Sequence, residues 1–109
     1  MGLNNYPVLE RSISSSSAGD NVIVPGVAGQ VIEVYRIFFV VGADTNVTFE
    51  DGDTADFTGP ITMLANGSFV LDFTELPWFT TSLGNDFVVS LSVGTIIAGR
   101  VYYTQITPP

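Results

Sequence analysis

The sequence predicts an all-β protein, a jelly-roll-like antiparallel β-sandwich of about eight strands. Apolar and polar residues alternate along most of the chain, as they do in strands with one buried face. No longer stretch repeats apolar residues at helical spacing. Turn pairs such as Asp51-Gly52 and Asn66-Gly67 separate the alternating stretches at short intervals. Short, regularly spaced strands with such turns are typical of a sandwich or barrel.

Three strands are expected in the first half of the chain. Residues 21–25 form a short strand that ends at Pro25-Gly26, because proline has no N–H to donate to a ladder. Residues 29–41 form the longest strand. Residues 45–50 follow and end at the Asp51-Gly52 turn.

Five strands are expected in the second half, each bounded by Gly, Pro or Asn: 60–65, 68–73, 78–82, 86–93 and 98–106. Asn66-Gly67 favours a type I′ hairpin between the first two, because both residues tolerate positive φ. The clearest alternation lies in 86–93, where four apolar residues share one face: Phe87, Val89, Leu91 and Val93.

The composition excludes several classes of function. With 46% hydrophobic residues, the 109 residues suffice for one domain with a real core. The chain has no Cys, His or Lys, so it lacks a thiolate nucleophile, an imidazole base, a Schiff-base amine and the usual zinc ligands. A net charge of −8 repels nucleic acid, and no apolar run approaches the ~20 residues of a membrane helix. We therefore expect a binding or structural module, not an enzyme, with no cofactor.

We expect residues 1–20 to form an N-terminal arm with a serine-rich hinge, and residues 21–109 to form the sandwich domain. The four serines at 14–17 cannot anchor a core by themselves. An arm of this kind would become ordered on a partner, and its contacts would be Leu3, Tyr6, Val8 and Leu9. The alternative is that residues 8–13 form an edge strand of the same sandwich.

The stretch 31–41 is apolar on both of its faces, although a sandwich strand normally has one polar face. In one interpretation the strand bends and loops cover its outer face. In the other, the outer face packs against another subunit, since aromatic residues and Arg are enriched at interface centres. The second interpretation gives an interface with Glu33 and Arg36 as its polar pair, made of Glu33, Tyr35, Arg36, Phe38, Trp78 and Phe79.

Trp78 also has two interpretations. It can stack on a sugar ring while a nearby Asp72, Glu75 or Asn85 accepts hydrogen bonds from the sugar hydroxyls. Alternatively, Trp78 and Phe79 fill the end of the core or a seam between subunits, and this structural role is the one we favour.

Five carboxylates fall between Asp44 and Asp56, and such oxygen ligands suit calcium. Their spacing does not match an EF-hand, and Asp with Gly also simply forms turns. We expect a solvated acidic loop with no metal, although the sequence alone leaves calcium open.

The order of several segments resembles a family of small bacteriophage structural proteins. The matching segments are SSSSAGDN at 14–21, VPGVAG at 24–29, GRVYY at 99–103, and residues 46–49, 65–68 and 77–79. The resemblance covers about 12–105 and implies a virion component with a jelly-roll-like sandwich and no catalytic motif.

What the resemblance implies for function is a capsid decoration (cement) protein. Such proteins bind the outer surface of the phage head, often as homotrimers, and stabilise the shell. The expected partners are then other copies of the chain and the major capsid protein, the latter contacted by the arm. The chain would be made in the host cytoplasm and end on the capsid surface. The alternative is a tail-fibre, spike or carbohydrate-binding module for attachment to the host surface.

Overall fold

The computed structural model describes residues 7–108, which fold into two antiparallel sheets of five strands each. None of these residues forms a helix of the length and apolarity needed to cross a bilayer. The strands are β1 Leu9–Ser15, β2 Gly19–Val24, β3 Val31–Val41, β4 Thr45–Asp51, β5 Ala55–Asp56, β6 Ile61–Met63, β7 Ser68–Leu71, β8 Phe79–Thr80, β9 Phe87–Leu91 and β10 Ile97–Ile106.

The strand order confirms the predicted jelly-roll-like sandwich. Sheet A runs β1-β10-β3-β7, with β8 also on β3; sheet B runs β2-β9-β4-β5, with β6 also on β4. Because β7 and β8 pair with successive parts of β3, they share one strand position. The strands β5 and β6 share another on β4. The eight positions then follow the order 1-8-3-6 in one sheet and 2-7-4-5 in the other, as in a jelly roll.

Phenylalanine rings from both sheets meet at the centre of the core. Phe49 of β4 is fully buried, and its ring centroid lies 5.0 Å from that of Phe79 and 6.1 Å from that of Phe87. Phe69 of the other sheet packs against Phe49, with the two ring centroids 5.3 Å apart. Phe79 is half-buried and packs against the core, so it fills the core as the favoured structural role expected, and it does not lie on an exposed face available to a partner. Burial of this ring anchors β8, which is only two residues long.

A β-bulge explains why β3 is apolar on both faces. Tyr102 pairs with Arg36 and Tyr103 pairs with Val34, so Tyr35 is an extra residue on β3. Before the bulge Val34 points to the core, and after it Ile37 does, although strict alternation places these two residues on opposite faces. The even-numbered residues Ile32 and Val34 therefore face the core before the bulge, and the odd-numbered residues from Ile37 face it afterwards.

The structure corrects the predicted arm. Leu9–Ser15 is an edge strand that pairs with β10 over its whole length, from Leu9 opposite Tyr103 to Ser15 opposite Ile97. Only Ile13 of this strand is buried in the core. A serine-rich sequence can therefore form this edge strand, because its other positions need no apolar side chain. The boundary at residue 20 was therefore wrong, and the edge-strand alternative describes these residues. Of the proposed arm contacts, Val8 and Leu9 are exposed at the start of this strand, and Leu3 and Tyr6 lie outside the described residues.

Candidate functional site

Sheet A contains an interruption at the edge of β3, and we refer to residues 72–78 as the excursion. β7 pairs with β3 from Ile37 to Val40, and β8 resumes the pairing opposite Glu33 and Val34. Between them the chain leaves the ladder at the level of the Tyr35 bulge. It returns where the Trp78 N–H donates to the Val34 carbonyl over 2.8 Å. The excursion exposes several large apolar side chains that a continuous strand would not.

Arg36 lies at the centre of the outer face of sheet A, beside the excursion. Its Nε donates to Asp72 Oδ1 over 2.9 Å. Its Cζ lies 4.7 Å from the ring centroid of Phe38 and 5.2 Å from that of Tyr102. The Phe73 ring packs edge-on against Tyr102, with centroids 5.6 Å apart. The guanidinium is thereby held by one carboxylate and two aromatic rings.

Trp78 is exposed but rigidly held. Its indole Nε1 donates to the Asp72 carbonyl over 2.7 Å, yet 43% of the residue remains exposed. Asp72 Oδ1 also accepts the N–H of Phe73 over 2.8 Å. This bond and the Arg36 guanidinium hold the pKa of Asp72 below its ordinary value. Trp78 and Asp72 are therefore held in position by hydrogen bonds within the chain although both are exposed.

We name this region the aromatic–arginine surface. Its apolar members continue across sheet A, because Val70 of β7 pairs with Phe38 and Val40 lies two residues further along β3. Val40, Val70, Phe73 and Trp78 all keep a large exposed fraction. The surface consists of Arg36, Phe38, Val40, Val70, Asp72, Phe73, Trp78 and Tyr102.

The structure brings together only part of the interface predicted from sequence. Arg36, Phe38 and Trp78 lie in the aromatic–arginine surface. Arg36 pairs with Asp72 of its own chain and not with Glu33, whose carboxylate accepts the Thr104 hydroxyl over 3.0 Å.

The assignment of Tyr35 to the interface was wrong. Tyr35 is fully buried, with its hydroxyl 3.5 Å from Glu33 Oε1, so it cannot contact a partner. Burial and the Glu33 charge raise the pKa of its hydroxyl. The bulge, which sequence periodicity does not reveal, is what removes this residue from the surface.

The proposed sugar platform is also only partly assembled. Asp72 and Glu75 accompany Trp78 in the excursion, where Asp72 and Glu75 are both exposed. Asn85 lies elsewhere and donates from its amide to Asp51 Oδ1 over 3.0 Å.

The acidic residues between 44 and 56 have separate roles. Asp44 accepts the Ala65 N–H over 2.8 Å and closes the turn before β4. Asp51 is buried and accepts hydrogen bonds from the N–H and the hydroxyl of Ser82, over 3.0 and 2.7 Å. Within residues 7–108, no three acidic side chains stand in an arrangement that could hold a metal ion.

Burial by itself raises the pKa of Asp51, but its hydrogen bonds have the larger combined effect. The Ser82 hydroxyl, the Ser82 N–H and the Asn85 amide together hold the pKa below its ordinary value of 3.8. Asp51 therefore stays ionised while buried. It ties the end of β4 to the loop before β9.

A second group of carboxylates lies on the outer face of sheet B, where Glu50 and Asp56 of the predicted acidic loop lie close to Asp20, a residue that the sequence did not connect with them. Glu50 pairs with Asp56 across β4 and β5, and its carboxyl is also hydrogen-bonded to Asp20 of β2. Burial, together with hydrogen bonding to and repulsion from these two aspartates, raises the pKa of Glu50 to about 7. Asp20 had been assigned to the hinge, and only the pairing of β2 in sheet B brings it close to Glu50. This group takes up a proton near neutral pH.

No protein-family model matches this chain, and comparison with curated proteins found no matching sequence. Its function is therefore inferred from its own residues and geometry.

Proposed function

We propose that this chain is a non-enzymatic structural protein of a bacteriophage virion, and that it binds the outer surface of the capsid as a decoration protein. The virion role is supported by the order of segments that resembles small bacteriophage structural proteins. The observation that carries the binding role is the aromatic–arginine surface. It is an exposed sheet face in which a tryptophan, other aromatic rings and an arginine are held in place by contacts within the chain.

The chemistry of this surface fits a protein partner. Trp, Tyr and Arg are the residues that contribute most to binding at interface centres. The rings and the guanidinium already sit in mutual contact, so little side-chain freedom remains to be lost on binding. Two of the three basic side chains, Arg36 and Arg100, lie on this face of sheet A, where each is ion-paired within the chain, to Asp72 and to Glu10.

On this proposal the protein works by linkage. A protein that binds only the assembled shell stabilises that shell, because dissociation of the shell requires dissociation of the bound protein. The major capsid protein is the proposed partner, and the capsid surface is the proposed location. Association of the chain into homotrimers belongs to the same proposal.

The test uses shells assembled from the major capsid protein encoded in the same genome as this chain. We expect the wild-type protein to co-sediment with these shells and to raise their melting temperature. Leu76→Glu and Phe73→Glu place a charge on exposed positions of the excursion, and we expect each to weaken shell binding at least tenfold.

The matched control is Leu83→Glu, which makes the same change at an exposed leucine in the loop before β9. Wild-type binding by Phe73→Glu, which changes a member of the aromatic–arginine surface, would remove that surface from the mechanism, and wild-type binding by Leu76→Glu would remove the tip of the excursion. A genome without a capsid gene, or shells that never bind the wild-type protein, would contradict the decoration role itself.

The exposed indole beside Asp72 favours a second candidate, a module that binds host-surface sugars. Trp78 is the only tryptophan in the chain, so its fluorescence reports directly on a sugar stacked against it. On this alternative, titration with host-surface polysaccharide shifts the emission, and Asp72→Asn abolishes the shift. An unchanged emission at millimolar sugar would exclude it.

A further inference from the structure

The loops at one end of the sandwich form a surface that differs from the rest of the molecule. Four loops meet there: residues 16–18, 42–44, 64–67 and 92–96. We refer to them as the aliphatic end. Three of the most exposed apolar residues of the described chain lie in them, namely Leu64 at 66%, Val93 at 53% and Ile96 at 67% exposure. Val93 was expected on the apolar face of a strand over 86–93, but β9 ends at Leu91 and leaves Val93 exposed.

The aliphatic end is almost free of charge, although the chain has a net charge of −8. Asp44 is the one charged residue in the four loops, and one of its oxygens accepts the Ala65 N–H. The opposite end carries Asp51, Asp53 and Asp86 around the turns there. The acidic residues are thus concentrated away from the three exposed aliphatic side chains.

The loops of the aliphatic end are pre-organised by hydrogen bonds between them. The Gly42 N–H donates to the Ile96 carbonyl over 2.9 Å, and the Thr45 hydroxyl donates to the Val93 carbonyl over 2.9 Å. The Asn66 N–H reaches the Val41 carbonyl over 2.8 Å. The backbones that present the aliphatic side chains are therefore held in place without a partner, and little order remains to be imposed on binding.

From this geometry we infer that the aliphatic end is where copies of this chain associate, around a closed symmetry axis near Leu64, Val93 and Ile96. Two copies with a charge of −8 repel each other. Meeting at this end places the acidic ends farthest apart. The 11 residues of β3 separate the two ends by roughly 33 Å, several times the Debye length of about 8 Å.

Other occupants fit the aliphatic end less well. The four loops contain no aromatic ring for a sugar to stack on, and no Arg or Lys to attract a phosphate. They also lack the Trp, Tyr and basic residues that anchor proteins at a lipid surface. A second copy offers a surface that is equally aliphatic and equally uncharged, and identical surfaces around an axis give a closed oligomer.

This inference extends the proposed function by naming the surface of self-association, and it can fail separately because its test uses no shells. Light scattering and sedimentation of the purified protein at about 100 μM, far above a micromolar dissociation constant, are expected to give a small multiple of 11.6 kDa, most simply a trimer. Association is expected to strengthen when salt rises from about 0.05 M to about 0.5 M, because salt screens the repulsion between copies.

The variant Ile96→Glu places a carboxylate near the proposed axis, and we expect it to weaken association at least about tenfold. Val93→Thr tests the same surface without adding a charge and is expected to weaken association in the same direction. Leu83→Glu at the opposite end is the matched control and is expected to associate as the wild type does. Because Ile96 is largely exposed, we expect Ile96→Glu to leave the melting temperature of the monomer unchanged. That result would show that weaker association does not come from a damaged fold.

Several results would overturn the inference. A wild-type protein that stays monomeric at both salt concentrations has no self-association to explain. Dissociation by Leu76→Glu but not by Ile96→Glu would place the contact on the excursion. A monomer that co-sediments with phosphatidylcholine vesicles through Ile96 would identify a lipid-binding end.

Discussion

The carboxyl group of Glu50 makes a quantitative prediction about how the stability of the fold depends on pH. Its pKa is raised from an ordinary value of 4.5 to about 7 by burial and by Asp20 and Asp56. The folded state therefore keeps a proton on Glu50 that the unfolded state has already lost. Its contribution to stability is present below pH 4.5 and is lost as the pH rises through 7. The wild-type protein is destabilised by this group above pH 7.

The substitution Glu50→Gln keeps the shape of the neutral carboxyl group but gives a side chain that cannot ionise as the pH rises. A pKa raised from 4.5 to about 7 corresponds to at most about 3 kcal/mol. Solvent screening around this partly exposed group reduces the expected gain to about 1 kcal/mol. At pH 8.5 the variant is therefore expected to melt about 4 °C or more above the wild type, and at pH 4 the two melting temperatures are expected to agree.

The assay is thermal denaturation of both proteins at several pH values between 4 and 8.5, with urea denaturation at the same pH values to give the free energy of unfolding. Asp53→Asn is the matched control, because it removes one negative charge from an exposed turn outside this group. The gain of Glu50→Gln is expected to grow between pH 4.5 and 7 and then stay constant, with a much smaller gain for the control. A gain that is equal at pH 4 and pH 8.5, or equal for the two variants, would refute the role assigned to Asp20 and Asp56.

Two further predictions concern stability. Asp51→Asn replaces a buried carboxylate that accepts hydrogen bonds from Ser82 and Asn85, and is expected to cost about 2 kcal/mol at pH 7 by urea denaturation. Because the pKa of Asp51 is lowered in the folded state, this cost should shrink as the pH falls below about 4; an equal cost at pH 7 and pH 3 would contradict the assignment. Gly99→Ala would place a Cβ atom against the Phe38 carbonyl oxygen and 2.6 Å from Phe39 Cα, so β10 and β3 must separate, and we expect a loss of about 3 kcal/mol or more. Gly59→Ala meets no atom within 4 Å and serves as the control, and equal melting temperatures of the two variants would show that the close approach of the strands is wrongly described.

The class of fold and most of the strands could be predicted because they depend on local patterns. Burial of one face of a strand imposes period-two alternation, and turns with positive φ require Gly or Asn. Asn66, at φ 64°, is a turn residue of this kind. All eight predicted strands overlap strands of the structure, from residues 21–25, four of which lie in β2, to residues 98–106, which lie within β10.

The edge strand β1 was not assigned, because only Ile13 of it is buried and an edge strand needs few apolar residues. The candidate sites depended even more on contacts between distant residues. Arg36 meets Asp72 across 36 positions of sequence, and Asp20 meets Glu50 only because β2 and β4 both pair with β9. No local periodicity encodes such pairings.

An acidic, all-β chain without Cys, His or Lys follows from the sequence alone, because composition and alternation are properties of the residues themselves. Tertiary structure decides which apolar residues form the core and which remain exposed. One inserted residue in β3, Tyr35, lets Val34 before it and Ile37 after it both face the core, while Phe38 and Val40 stay on the outer face. The excursion beside the bulge exposes Trp78. The aliphatic end likewise exists only because four loops, far apart in the sequence, meet where the strands of two sheets end. The physical reason is that burial and charge segregation result from how strands pair, and pairing is a property of the whole chain.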